Sequence, residues 1–224
     1  MSVRRLDAVQ PESFKFNAEN ARWAKAVIAK FPKGKQASAV IPLLWRAQEQ
    51  HDGWLPEPAI RAVAEMLDMA YIRVYEVATF YTMFNLSPVG KFFVQLCGTT
   101  PCWLRGANDL KDVCRKVIGD QNTVTEDGML SWFEVECLGA CTNAPMVQIN
   151  KDYYEDLTPE ILEQILDDLR NGKEVKPGPQ NGRQFSAPEG GPITLQNVAT
   201  KTKRTARKKP AARKSPAKAK RVGK

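Results

Sequence analysis

The sequence contains a single histidine, His51, and this excludes every metal site that needs two or more imidazole ligands. Glycine-rich phosphate loops are also missing, since neither the G-x-x-x-x-G-K-[ST] nor the G-x-G-x-x-G pattern occurs. We therefore expect that the chain binds no nucleotide by itself.

Long apolar runs are absent as well. The longest, residues 39–45, has seven residues, whereas a helix needs about 20 to cross a bilayer. Residues 1–7 lack the apolar stretch of a secretory signal. The sequence thus predicts neither a membrane span nor secretion.

Acidic residues are missing from the last 24 positions. Residues 201–224 carry 12 of the 33 Lys and Arg residues and none of the 25 Asp and Glu residues, so the formal charge of +8 hides a body of net −4. Such a composition cannot bury a core and predicts a disordered basic tail. The tail could bind anionic lipid or nucleic acid nonspecifically, or act only as a solubilising extension.

Cysteines are few and odd in number, and this argues against a disulfide framework. Four of the five form two close pairs: Cys97 and Cys102 are spaced C-x4-C, and Cys137 and Cys141 are spaced C-x3-C. Structural zinc usually prefers two-residue gaps between paired ligands, while a [2Fe–2S] cluster also takes four thiolates. The spacing favours iron–sulfur and leaves zinc, or reduced structural cysteines, as alternatives.

The context of the pairs predicts that they converge. Residues 91–96 and 131–136 have strand patterns that lead to Cys97 and Cys137, and residues 102–118 have a helical pattern. A strand–helix–strand unit of this length implies parallel strands, so both cysteine pairs should lie at one edge of a sheet. The fifth cysteine, Cys114, lies on the apolar helix face and is interpreted as a small buried hydrophobe.

Small residues within the two cysteine loops, Gly98, Gly139 and Ala140, are expected to let backbone N–H groups approach sulfur. The helix after Cys102 is expected to direct its positive end toward the site. Arg105 either adds a cation there or is simply solvated.

The rest of the sequence suggests five segments: a flexible N-terminus (1–16), a helical domain (17–87), an iron–sulfur domain (88–172), an extended Gly/Pro-rich arm (173–200) and the tail (201–224). A hairpin over residues 146–155 and a final helix opened by Thr158 and Pro159 complete the third segment. His51 is assigned to a surface or loop-packing role. A set of aromatic residues is also assigned to packing, with partner contact as the alternative: Tyr71, Tyr75, Phe80, Tyr81 and Phe84.

Five stretches of the sequence together resemble one protein family. They are CGTTPC (97–102), CLGACTNAP (137–145), IPLL (41–44), AQEQHDGWLP (47–56) and VYEVATFYTMF (74–84). Over roughly residues 15–195 the chain resembles the E subunits of NADH:quinone oxidoreductase (respiratory complex I), a family of thioredoxin-like [2Fe–2S] ferredoxins. The basic tail departs from the family pattern.

The resemblance implies a mixed α/β fold, with a helical bundle preceding a thioredoxin-like domain. It implies one [2Fe–2S] cluster on Cys97, Cys102, Cys137 and Cys141, which stores an electron beside a flavin, and no catalytic residue on this chain. The implied partner is the F subunit of the complex, which carries FMN, the NADH site and a [4Fe–4S] cluster, together with other peripheral-arm subunits. The implied location is the cytoplasmic side of a bacterial inner membrane, or the matrix side in a mitochondrion.

Two alternatives remain at the level of sequence. One is the equivalent subunit of an NAD-dependent hydrogenase or formate dehydrogenase, which has the same cluster chemistry. The other belongs to a different class: a zinc-stabilised scaffold with a nucleic-acid-binding tail.

Overall fold

The first part of the chain is helical because its apolar residues recur at helical spacing. In the computed structural model, which describes residues 4–186, α1 begins after Asn17, whose side chain accepts a hydrogen bond from the Asn20 amide. A 3₁₀ turn, Gln36–Ala39, directly precedes the second helix. The helices are α1 (Ala18–Ile28), α2 (Val40–Gln50), α3 (Glu57–Leu67) and α4 (Tyr71–Phe80).

These helices share one hydrophobic core. Its fully buried members include Leu43, Leu44, Ile60 and Val63. His51 packs against Trp54, with ring centroids 5.0 Å apart, as the packing interpretation expected.

The packing prediction for the aromatic residues was only partly right. Phe84 is fully buried, and Tyr71 and Tyr75 pack partly buried against the helical core. Phe80 is 75% exposed and Tyr81 40% exposed, so the packing prediction was wrong for both. Phe80 is two residues after the buried Ala78 and therefore lies on the opposite face of α4, and Tyr81 has already left the helix.

The second part of the chain is built on a five-stranded sheet. Strands β1 (Phe92–Cys97) and β2 (Leu130–Val135) run parallel, in register from Phe92↔Leu130 to Cys97↔Val135. The other strands are β3 (Val147–Ile149), β4 (Asp152–Glu155) and β5 (Gly178–Pro179), and the order is β2-β1-β3-β4-β5. The predicted parallel pair and the predicted hairpin, which is β3–β4, are confirmed.

The crossover between β1 and β2 contains two helices where the sequence predicted one. Gly106, at φ +101°, ends α5 (Thr100–Leu104) and precedes α6 (Ala107–Val117). Only glycine adopts this left-handed conformation without strain, and it turns the chain so that α6 lies along the sheet. The final helix, α7 (Pro159–Arg170), begins after Thr158, whose hydroxyl accepts from the Ile161 amide, and packs against α6.

A second hydrophobic core lies between the sheet and these helices. It includes Leu96, Leu110, Trp132 and Leu166, all fully buried. Cys114 is also fully buried within it, and desolvation raises the pKa of its thiol to about 12. This agrees with its interpretation as a small hydrophobe.

No helix within residues 4–186 is both long and apolar enough to cross a membrane. The predicted tail and the part of the predicted arm after residue 186 lie outside the described residues, as do residues 1–3. The boundaries of the five predicted segments stay predictions.

Candidate metal centre

The parallel pairing of β1 and β2 brings two cysteine loops to one edge of the sheet, because the carboxyl ends of parallel strands share an edge. The first loop follows β1, with Cys97 as the last strand residue and Cys102 in the first turn of α5. The second loop follows β2 and contains Cys137 and Cys141, the latter opening a 3₁₀ turn.

The first pair is buried. Cys97 is 2% exposed and Cys102 is 1% exposed, and their thiols hydrogen-bond to each other. The Thr99 hydroxyl lies 3.4 Å from the Cys97 sulfur. These two thiols therefore belong both to the site and to the hydrophobic core.

The second pair is exposed. The sulfurs of Cys137 and Cys141 are 3.8 Å apart, and both side chains face solvent. Gly139 between them has φ +84°, so the loop reverses its direction at a position that favours glycine.

Backbone amides connect the two loops. The amide of Leu138, in the second loop, donates to the sulfur of Cys97, and the amide of Met146 donates to the sulfur of Cys102. The amide of Cys97 in turn donates to the Met146 carbonyl at 3.4 Å. Amide donors of this kind stabilise negative charge on sulfur.

The pKa values show how closely the thiols interact. Desolvation, aided by the hydrogen bond and charge of Cys97, raises the pKa of Cys102 to about 12. The hydrogen bond to Cys137, then desolvation and the charges of Cys137 and Cys97, raise the pKa of Cys141. Burial opposes ionisation of Cys97 too, but hydrogen bonds from Thr99, Leu138 and Cys102 outweigh it and lower the pKa of that thiol. Several thiolates so close to one another would need a cationic group between them.

The donor set fits a two-iron cluster. Within residues 4–186, no group of three or more His, Cys, Asp or Glu side chains is placed to hold one metal ion. The thiols instead form two close pairs, and a [2Fe–2S] cluster is bound in this way, with two ligands on each iron. A single structural zinc would need four ligands around one point.

The sequence did not predict the ion pair between Glu134 and Lys111 that lies beside the first loop. A Cβ atom on Gly98 would collide with the carboxylate of Glu134, which pairs with Lys111 at 2.7 Å. The Lys111 side chain is only 13% exposed. The missing side chain at Gly98 makes room for Glu134, and the Gly98 amide donates to the Val135 carbonyl at 3.4 Å.

The helix after β1 also differs from expectation. It begins at Thr100, before Cys102, so this cysteine lies inside the first turn and not ahead of it. Arg105 is exposed. Beside Cys102, the helix exposes two large apolar side chains, Trp103 at 53% and Leu104 at 70%.

Comparison with known proteins identifies this arrangement. Residues 24–170 match the model of the thioredoxin-like [2Fe–2S] ferredoxin family. The chain belongs to this family. Its mixed α/β fold, predicted from the sequence resemblance, is thereby confirmed for the described residues, and a [2Fe–2S] cluster is the cofactor of the family.

Two curated relatives, both E subunits of NADH-quinone oxidoreductase, are similar along most of their length. The one numbered E 1 in Rhizobium meliloti (strain 1021) is 62% identical over 88% of this chain and 73% of its own length. The one from Rickettsia bellii (strain RML369-C) is 57% identical over 71% of this chain and 96% of its own length. The resemblance to these E subunits, predicted from the sequence, is therefore confirmed.

A solved structure shares the fold. The NAD⁺-reducing [NiFe]-hydrogenase in its air-oxidized state superposes with a TM-score of 0.51 over 58% of this chain and 23% of the hydrogenase chain. The two sequences are 17% identical, so this likeness concerns the fold alone.

Proposed function

We propose that this chain is the electron-carrying E subunit of an NADH-quinone oxidoreductase and holds one [2Fe–2S] cluster on Cys97, Cys102, Cys137 and Cys141. The observation that carries this proposal is the convergence of two thiol pairs at one sheet edge, joined by the amides of Leu138 and Met146. The chain acts in an enzyme only as part of the complex, because no acid, base or nucleophile for catalysis is assigned to it.

The identity of the complex rests on the relatives. Those named as E subunits of NADH-quinone oxidoreductase share 62% and 57% of aligned residues with this chain. The hydrogenase shares the fold at 17% identity. This difference favours the quinone-linked complex over the hydrogenase alternative.

The chain's own residues prepare the site for a negatively charged group. When bound, a [2Fe–2S] cluster supplies a carrier of one electron at a time. Burial of Cys97 and Cys102 excludes water from one side of the site. The amides of Leu138 and Met146 and the Thr99 hydroxyl donate toward sulfur and so stabilise its negative charge.

The partner on the exposed side is, in this proposal, the F subunit with its FMN and NADH site, joined by other peripheral-arm subunits at the cytoplasmic face of a bacterial inner membrane. Trp103 and Leu104 support it, because they place exposed apolar surface directly beside Cys102. Large exposed aromatic and aliphatic side chains are typical anchors of protein interfaces.

The ligand assignment is tested by replacing each cysteine with alanine. Cys97→Ala, Cys102→Ala, Cys137→Ala and Cys141→Ala should each lose the cluster or hold it unstably, because each removes one thiolate. Cys114→Ala is the matched control and should keep it, at a stability cost of about 1–2 kcal/mol from lost packing. Iron content and the EPR spectrum of the reduced protein are the readouts. A cluster that survives one of the four replacements unchanged, or is lost with Cys114→Ala, would show that the ligand set is wrong.

The docking surface is tested with the full-length chain and the flavin-bearing F subunit. Trp103→Ser with Leu104→Ser should weaken their association by about tenfold or more, as loss of an interface anchor does. The control is Ile72→Ser, which removes another large apolar side chain, 60% exposed, from α4. Weakening by the control alone would place the interface on the helical part.

A further inference from the structure

The segment that follows α7 returns to the second cysteine loop. Its residues Gly178 and Pro179 form β5, which pairs with β4 in the register Tyr154↔Gly178 and Glu155↔Pro179. The amide of Gln180 then donates to the Glu155 carbonyl at 3.0 Å. We call residues 178–186 the strap.

Arg183 connects the strap to the loop. Its guanidinium donates to both carboxylate oxygens of Asp156, at 2.8 and 2.6 Å, and also to the carbonyl of Thr142, at 2.6 Å. Thr142 directly follows Cys141. The Asp156 side chain is only 5% exposed. The backbone of Asp156 has φ +54°, so the chain turns sharply at the residue that Arg183 contacts.

Ser186 makes a second connection. Its hydroxyl lies 2.6 Å from the Thr142 hydroxyl, and its amide donates to the Glu155 carboxylate at 3.1 Å. Glu155 is 2% exposed and also accepts from the Asn143 side chain at 2.7 Å. The same Asn143 amide donates to the Gln184 carbonyl at 2.8 Å.

The second loop depends on polar contacts of this kind, because burial does little to hold its thiols. Cys137 and Cys141 are exposed, and nothing lies within 4 Å of a Cβ placed on Gly139. Charge-assisted and bidentate hydrogen bonds are the strong polar contacts in proteins. Inside the loop, Ala140 is buried at 4% exposure, and the Tyr153 hydroxyl donates to the Leu138 carbonyl at 2.8 Å. Beyond Cys141, the loop is held through Thr142 and Asn143, both of which the strap contacts.

We propose that the strap positions the Cys137–Cys141 half of the site, and that Arg183 is its main positioning residue. The proposal rests on the proposed function, since the group to be held is the cluster. Arg183 acts through Thr142 and Asp156 and does not itself contact the thiols. Without it, the loop should sample open conformations more often and release iron faster.

The test uses the full-length chain with its cluster, prepared without oxygen. Arg183→Ala should release iron to an excess chelator about tenfold faster than the wild type, because two charge-assisted contacts to the loop and its support are lost. The EPR signal of the reduced protein should broaden. Arg183→Lys should recover part of the effect, since an ammonium replaces only one arm of the bidentate contact. Hydrogen exchange of the amides of residues 139–143 should be faster in Arg183→Ala, with or without the cluster.

Matched controls separate positioning from general stability. Arg115→Ala removes another half-exposed arginine, paired with Asp112 at 2.7 Å on α6, and should leave iron release and the EPR signal unchanged. Thr142→Val removes only the hydroxyl contact to Ser186 and should show a smaller effect in the same direction. Its control is Thr123→Val, which removes a hydroxyl that donates to the Asp120 carbonyl.

The outcomes distinguish the two proposals. A wild-type chain that holds no cluster would refute the proposed function. The rate of amide hydrogen exchange at residues 139–143 would still test the strap. Unchanged iron release and unchanged exchange in Arg183→Ala would refute the strap while the cluster stands. If Arg183→Ala does not fold, Thr142→Val decides: a rate equal to that of Thr123→Val would overturn the proposal.

Discussion

The two cysteine loops reach the same sheet edge but are built differently. The first places Cys97 and Cys102 in the hydrophobic core, at 2% and 1% exposure. The second leaves Cys137 and Cys141 open to solvent and is held by polar contacts to Thr142 and Asn143. Packing therefore holds the thiols of the first half, whereas the thiols of the second half face solvent and depend more on the polar contacts of their loop.

This difference separates two requirements of an electron carrier. The buried half keeps water away from two thiols and ties them to a core that resists local opening. The exposed half faces solvent and, in the proposed function, lies on the side that the partner subunit covers. The asymmetry leads us to expect that the second loop is the more easily opened, and several measurements can sharpen or break that expectation.

The largest expected contrast is in thiol reactivity of the cluster-free chain. At pH 8, Cys137 and Cys141 should react with iodoacetamide roughly 100-fold faster than Cys102, because a buried thiol reacts only after local opening. The high pKa of Cys102, about 12, slows it further by keeping it protonated. Peptide mass spectrometry over a time course measures the rates. Equal rates in both loops would contradict the comparison.

The next prediction concerns Cys114, the buried thiol of the core, and how its ionisation changes the stability of the chain at alkaline pH. The pKa of Cys114 is raised to about 12 in the folded chain, while an unfolded thiol ionises near pH 8.5. Its contribution to stability is thus fully present below about pH 8.5 and is lost as pH rises toward 12. By pH 11 the cluster-free wild type should lose roughly 3 kcal/mol more than Cys114→Ala. Denaturant unfolding at pH 8 and pH 11 checks this, and parallel losses in both chains would refute it.

A smaller contrast is expected between the two loop glycines. Gly98→Ala should cost about 2 kcal/mol, because the new Cβ displaces Glu134 and leaves the mostly buried Lys111 without its partner. Gly139→Ala should cost about 1 kcal/mol, since it meets no atom within 4 Å and only strains the positive φ. Thermal unfolding of both variants measures the order, and the reverse order would show that the second loop is the tighter one.

The smallest expected effect is that of the basic tail. Deleting residues 201–224 removes 12 positive charges and no apolar anchor, so cluster content and melting temperature should not change. Binding to DNA or anionic vesicles at low salt should occur with the full chain, weaken as salt rises and be largely lost on deletion. Loss of the cluster on deletion would show that tail and body depend on each other.

The sequence was sufficient for the parts of the site that depend on local patterns. Strand patterns ending near Cys97 and Cys137, with a crossover between them, predicted parallel strands and convergent thiols, as the structure has them. The break at Gly106 was missed because the apolar residues that indicated the helix, such as Leu110, Val113 and Cys114, all lie after it.

Long-range polar contacts were beyond the sequence. The pair of Lys111 with Glu134, and the contact of Arg183 with Thr142, join residues 23 and 41 positions apart. Charged residues at such separations carry no periodic signal, and in a sequence they look like solvated surface positions. Phe80 shows the reverse error, because an aromatic side chain near the end of a helix was assigned to packing and is 75% exposed.

The central claim, that the two loops together hold a two-iron cluster, is tested most directly by the composition and EPR spectrum of the full-length chain purified without oxygen. The account predicts about two irons and two acid-labile sulfides per chain, a red-brown colour, and an EPR signal that appears only after reduction. Stoichiometric zinc in a colourless protein without sulfide would contradict it.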